Sequence, residues 1–202
     1  MPASKKVTRD DIIAGALDVL RENGFSAVNA RNVAKKLGCS TQPIYLSFQN
    51  MEELKQALTE KAVDAHTERV LASLHDNNGL YSRYSAYGIG FVRFAEQEKQ
   101  LFRWLYLEDG QNGRHQDDVL MPEIIKTICC EYGYDRTVAE KFHHDMVIYS
   151  YGLAILMNTG HLSMTDDQLV AAFQRQFKAL SAVYGAPPKM PTAKKLNQQG
   201  EE

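Results

Sequence analysis

The segment "CSTQPIYLSF", Cys39–Phe48, follows "ARNVAKKLG" (30–38) and runs into "QNMEELKQAL" (49–58). Before it, Asn29 can cap a short helix whose inner face is Ala30, Val33, Ala34 and Leu37, and Gly38 ends that helix. Within it, Ser40 is expected to cap a second helix, 41–47, with Pro43 in the first turn, where a missing N–H costs nothing. Ile44 and Phe48 are four residues apart and point inwards, against Val33 and Leu37. That leaves Thr41, Gln42, Pro43, Leu46 and Ser47 facing out. Two short helices joined by a tight glycine turn, the second with an uncovered polar and apolar face, form a helix-turn-helix.

Outwards from this point the chain reads as helix almost throughout. Thr8, with Asp11 three residues on, resembles a capping box opening a helix at about 9–23, whose apolar positions are Ile12, Ile13, Ala16, Leu17 and Leu20, with Gly24 beyond its end. Further helices are expected at about 51–74, 81–97, 99–107, 119–132, 135–159 and 166–184. "DNNGL" (76–80) breaks the pattern, and "EDGQNGRHQDD" (108–118) reads as a loop. After Gly185, "APPKMPTAKKLNQQGEE" has three prolines and few apolar residues and is expected to be a disordered tail. The fold class is all-α. Its parts are a three-helix helix-turn-helix domain over 1–50, a helical domain over 51–185 and a tail over 186–202.

Composition narrows the class. At 202 residues and 44% hydrophobic, the chain can bury a real core. Net charge is −2 overall, but residues 1–61 carry nine Lys and Arg against seven Asp and Glu, which puts the positive end at the N-terminus. Three cysteines (Cys39, Cys129, Cys130), two of them adjacent, do not make a disulfide framework and suit a reducing cytoplasm. No apolar run reaches membrane-spanning length, and "MPASKKVTRDD" has no signal-peptide core.

The second helix explains its own composition if it lies in a DNA major groove. Gln42 can pair with an adenine edge, while Thr41, Pro43 and Leu46 can touch a thymine methyl. Tyr45 can give its hydroxyl to a phosphate. Arg31, Lys35 and Lys36, with the arm residues Lys5, Lys6 and Arg9, can add phosphate contacts. The expected DNA-binding set is Lys6, Arg31, Ser40, Thr41, Gln42, Pro43, Tyr45, Leu46 and Ser47. An ordinary helical hairpin shares the spacing, and a protein-interaction module without sequence-specific DNA binding is the alternative.

Ile12 to Leu58, "IIAGALDVLRENGFSAVNARNVAKKLGCSTQPIYLSFQNMEELKQAL", resembles the N-terminal domain of TetR/AcrR-type transcriptional regulators. The family's ordered positions are held by Gly24-Phe25, Arg31, Val33-Ala34, Gly38-Cys39-Ser40, Ile44-Tyr45, Phe48, Asn50 and Glu52-Glu53-Leu54. Two positions depart from it. Met51 stands where the family usually has a phosphate-contacting Lys, and Gln42 stands where Gly, Ala or Pro is common. The resemblance covers about a quarter of the chain. It implies a homodimeric one-component regulator, in most cases a repressor, that binds a palindromic double-stranded operator and is released by a small-molecule effector. It also implies dimer contact through the last two helices, about 135–159 and 166–184.

Aromatic residues crowd the middle of the chain, and Gly88 and Gly90 interrupt a helical pattern there, where glycine costs about 1 kcal/mol relative to alanine. Close packing or room for a ligand would explain them. The expected walls of a pocket for an apolar or aromatic effector are Tyr87, Phe91, Phe94, Phe102, Trp104, Tyr106, Met121, His143, Met146, Val147 and Tyr151. Plain core filling is the alternative for each of them. His143-His144 and Cys129-Cys130 are adjacent pairs that diverge on a helix, so no metal site or cofactor is expected. No catalytic motif is present, and the chain is not expected to be an enzyme.

Overall fold

The computed structural model describes residues 7–75, 81–108 and 111–189, with side chains at 74–75 and 111–119 outside that description. Lys5, Lys6, the expected break at 76–80 and the tail from 190 onwards therefore lie outside the described residues. Among those described there is no strand, and no helix is long and apolar enough to cross a membrane. The elements are α1 (Arg9–Asn23), a 3₁₀ turn (Phe25–Ala27), α2 (Ala30–Leu37), α3 (Gln42–Ser47), α4 (Met51–His75), α5 (Arg83–Gln97), α6 (Lys99–Phe102), a π-helical segment (Arg103–Glu108), α7 (Gln111–Tyr132), α8 (Arg136–Asn158) and α9 (Asp166–Tyr184).

The helix ends follow local chemistry. Thr8 and Asp11 form the reciprocal box at the start of α1, the Thr8 N–H donating to Asp11 Oδ2 at 2.9 Å and the Asp11 N–H to Thr8 Oγ1 at 3.1 Å. Thr165 and Gln168 do the same for α9. The N-terminus of α5 is satisfied from another helix. Glu131, at the end of α7, accepts the N–H groups of Arg83 and Tyr84 at 2.8 and 3.1 Å.

Two expectations about connections are corrected. α7 begins at Gln111, inside the stretch expected to be a loop, and carries Pro122 in its interior. The start of the expected tail is also ordered. The Lys189 N–H donates to the Tyr132 carbonyl at 2.9 Å, and Tyr134 Oη donates to the Gly185 carbonyl at 2.8 Å. A helix end offers carbonyls without intrahelical partners, and residues 185–189 supply donor and acceptor there despite their prolines.

The chain forms two compact units. The first comprises residues 1–66 with 98–115, and the second comprises 67–97 with 116–202. The boundary expected at 50/51 therefore differs from the division seen, because a segment from mid-chain joins the N-terminal helices. In the first unit Trp104 stacks on Phe25 with ring centroids 4.5 Å apart, and Arg21 pairs with Glu98 at 3.1 Å. In the second, α5 packs on α8 and α9 around Phe94, Phe142 and Leu169.

Gly88 is required by this packing. A Cβ there would lie 2.9 Å from the ring of Phe173 on α9. Gly88→Ala gains about 1 kcal/mol of helix propensity against roughly 1–3 kcal/mol of overpacking. A net loss of about 1 kcal/mol is expected from the urea midpoint. An unchanged midpoint would mean that the Phe173 ring yields freely.

Candidate nucleic-acid interface and candidate pocket

The turn between α2 and α3 is built by backbone conformation. Gly38 sits at φ 66°, ψ 31°, a left-handed position, and its N–H together with that of Cys39 closes on the carbonyls of Lys35 and Ala34 at 3.2 and 3.0 Å. Asn29 caps α2 by accepting the Asn32 N–H at 3.0 Å. α3 starts one residue later than expected. Thr41, not Ser40, is its N-cap residue, in helical conformation and with no side-chain cap bond. Pro43, which has no N–H to satisfy, occupies the first turn.

Ile44 and Phe48 are buried and hold α3 down, while Leu46 is 79% and Tyr45 58% exposed. Ser40 and Gln42 are exposed, and Thr41, Pro43 and Ser47 are half-buried. Among the described residues, none of Ser40, Thr41, Gln42, Tyr45 and Ser47 uses its side chain in a hydrogen bond or ion pair (the bonds found are those of other side chains). α3 carries no charged residue.

The cations divide into two groups, which their positions in sequence do not reveal. Arg31 and Lys35, four residues apart on α2, are exposed and make no ion pair among the described residues. Lys36 turns back onto α1, 2.5 Å from Glu22 and 4.0 Å from Asp18, and its hydrogen bond to Glu22 raises its pKa. Arg9 is a brace. One guanidinium nitrogen donates to the Ser47 carbonyl at 2.7 Å and to Glu53 at 3.0 Å, and the group lies 4.0 Å over the Phe48 ring. The Gln49 N–H and then Arg9 hold the Glu53 carboxyl below its usual pKa. Asn50 Oδ1 accepts the Glu53 N–H at 2.9 Å. This network ties α1 to the α3–α4 junction. Without DNA, Arg9 and Lys36, both expected to contact phosphate, are engaged by carboxylates of their own unit.

In the second unit, a cavity lies between α5, α8 and α9. Of the eleven residues expected to wall a pocket, Tyr87, Phe91, His143, Met146, Val147 and Tyr151 line it. Phe102, Trp104 and Tyr106 do not. They belong to the first unit, where Trp104 stacks on Phe25 and Tyr106 Oη meets His66 Nε2 at 3.0 Å. Phe94 is buried in the core of the second unit and Met121 is half-buried on α7, and neither touches the cavity. Sequence reasoning missed Tyr84, Ser85, Gly88, Ser150, Phe173 and Phe177. The spacing Tyr84, Ser85, Gly88, Phe91 on one face of α5 was the available signal for three of them.

Tyr84 Oη and His143 Nδ1 are 3.0 Å apart, both residues being buried. Burial, reinforced by His144, lowers the His143 pKa to about 4, so the ring is neutral near pH 7. No group of three or more potential metal ligands occurs among the described residues.

Residues 12–58 match the family model described as "Bacterial regulatory proteins, tetR family". Over 92 residues the chain is 33% identical to the HTH-type transcriptional regulator AlkX of Mycobacterium tuberculosis, a match spanning 46% of this chain and 43% of that protein. The chain thus spans under half of that relative's length. A TetR family protein from Vibrio parahaemolyticus has a similar structure, at TM-score 0.59 and 20% identity over 85% of this chain and 97% of that one. So does a TetR family regulator from Marinobacter aquaeolei, at TM-score 0.57 and 19% identity over 85% of this chain and 94% of that one. At such identities these structures speak to the fold, helical in both its parts.

Proposed function

Because the chain belongs to the TetR family of bacterial regulatory proteins, we propose that it is a cytoplasmic homodimeric repressor that binds a palindromic operator and is released by a small effector. One observation carries the DNA part. α3 is pinned by Ile44 and Phe48 yet holds out Thr41, Gln42, Pro43, Tyr45 and Leu46, no side chain of which is hydrogen-bonded within the described residues. Exposing Leu46 and Tyr45 on a six-residue helix is unfavourable unless a partner covers them. Arg31 and Lys35 stand ready for phosphates, and Lys6, outside the described residues, belongs to the same proposed set.

α3 lacks Arg and Lys, so it has no side chain for bidentate guanine contact. Gln42 is its one amide, and the remaining outward groups suit thymine methyls. The half-site is therefore read as rich in A·T pairs. Gln42→Ala is expected to relax preference at one base position by about 1–3 kcal/mol. An unaltered preference in selection from randomised operators would remove Gln42 from the reading set.

Dimerisation is supported by a stripe on α8. Ile148, Ile155 and Leu156 are exposed, Gly152 between them has open space above it, and Val183 is exposed on α9. Spaced at i, i+7 and i+8, the α8 residues form one apolar seam that a second copy would bury. Two subunits would then present α3 to half-sites about 34–36 Å apart or a multiple.

The effector part rests on the cavity. Its free volume of about 20 Å³ suits about one water, so a ligand must favour an expanded conformation. Differential affinity of that kind is what releases DNA; a coupling of about 1–3 kcal/mol changes operator affinity roughly 5–150-fold.

Selection of bound sequences from random duplex DNA at two salt concentrations tests the reading. A palindrome with affinity falling steeply in salt is expected. No enrichment, with the protein folded and dimeric, would favour a protein-binding role for α3, as Met51 in place of a basic residue also suggests.

A further inference from the structure

The cavity between α5, α8 and α9 has a one-sided chemistry. No Lys, Arg, Asp or Glu lines it, and its bulk is aromatic and aliphatic. Its serines are engaged, Ser150 Oγ donating to the Met146 carbonyl at 2.7 Å and Ser85 bonding to Ser82 at 2.9 Å. The buried Tyr84–His143 pair is different. It brings two protons, one on the phenol and one on the neutral imidazole, and makes one hydrogen bond between them. If Tyr84 donates to Nδ1, the proton on Nε2 is left over. If Nδ1 donates to Tyr84, the phenolic proton is left over. Whichever tautomer holds, one donor is left over from that bond, available to an acceptor that enters the cavity the pair lines.

We propose that this cavity takes an uncharged, mostly apolar, ring-sized compound that offers one hydrogen-bond-accepting oxygen to the Tyr84–His143 pair. The proposal deepens the effector reading above and rests on it. Phe91 and Tyr151, tilted rings 5.1 Å apart, supply faces for a planar ligand. Met146, flexible and unbranched, is the wall residue best able to make room. A carboxylate or phosphate is disfavoured, because it would leave water for a cavity that no Lys or Arg lines.

The test uses three compounds of nearly one shape: acetophenone, benzoate and ethylbenzene. They differ in having a neutral acceptor, an anionic one and none. Calorimetry and ligand-detected NMR on the full chain near pH 7.5 give their affinities. Acetophenone is expected to bind at least about ten-fold more tightly than benzoate and about three- to ten-fold more tightly than ethylbenzene. Single substitutions of the pair leave one donor in place, so the decisive variant is Tyr84→Phe with His143→Leu, in which acetophenone loses its advantage over ethylbenzene. Val147→Phe, which fills the cavity, is expected to weaken both neutral compounds.

Benzoate binding as well as acetophenone overturns the proposal. So does ethylbenzene matching acetophenone on the wild-type protein, or acetophenone failing to bind. The wild-type comparison stands even if the double variant does not fold. Operator selection is performed without ligand, so its failure would remove the DNA reading and leave these affinities to be judged alone.

Discussion

Trp104→Ala destabilises the protein by about 3–5 kcal/mol, the range for truncating a buried large aromatic. Trp104 is 2% exposed, and its indole lies parallel to the Phe25 ring at 4.5 Å and 11°. Removing it takes away a large apolar area and leaves a hole that Phe25 cannot fill, since Phe25 is fixed in the 3₁₀ turn between α1 and α2. Both rings belong to the unit that contains α3. The expected result is a large fall in the urea midpoint and a loss of operator affinity that a stabilising osmolyte partly restores. The pocket role first expected for Trp104 predicts the opposite pattern, with stability kept and ligand affinity changed. A Trp104→Ala protein as stable as wild type would reinstate that role.

Trp104 also marks the limit of what the sequence reveals. Helix boundaries were legible because caps, glycines and apolar spacing are local signals. α1, α2, α4, α8 and α9 lie within a residue or so of their expected ends. The burial of Ile44 and Phe48 followed from their spacing. What periodicity does not carry is the partner of an apolar face. Phe102, Trp104 and Tyr106 follow the pocket-lining aromatics of α5 and are likewise aromatic, yet they pack in the other unit. Charges behave alike. Lys35 and Lys36 are neighbours with the same side chain, and a rotation of about 100° along α2 sends one to solvent and the other to Glu22. Arg9 was read as part of a basic arm because it follows Lys5 and Lys6, whereas the carboxylate it meets, Glu53, is 44 residues away.

The second large effect is the dependence of stability on pH that His143 contributes. In the folded protein its pKa is about 4, against an ordinary value near 6.5, because burial between α5 and α8 penalises the imidazolium and His144 adds like charge. Tyr84 and Tyr87 are the groups of α5 nearest its ring, and burial pushes the Tyr84 phenol well above its ordinary pKa, so it offers no charge to offset this. The folded state therefore prefers neutral His143. Above about pH 6.5 both states hold it neutral, and the full stability is present. Between about 6.5 and 4 the unfolded chain takes up a proton that the folded protein refuses, and stability falls by about 1.4 kcal/mol per pH unit. The loss reaches about 3 kcal/mol and then levels off, since below about 4 both states are protonated. His143→Gln keeps a polar partner for Tyr84 and does not titrate. Its stability relative to wild type is expected to shift in its favour by about 2 kcal/mol between pH 7 and pH 5, read from urea midpoints at both values. Parallel pH profiles for the two proteins would mean that His143 takes up its proton in the folded state with ease. The ring would then be in contact with water, and the neutral wall that disfavours anions in the cavity would not exist.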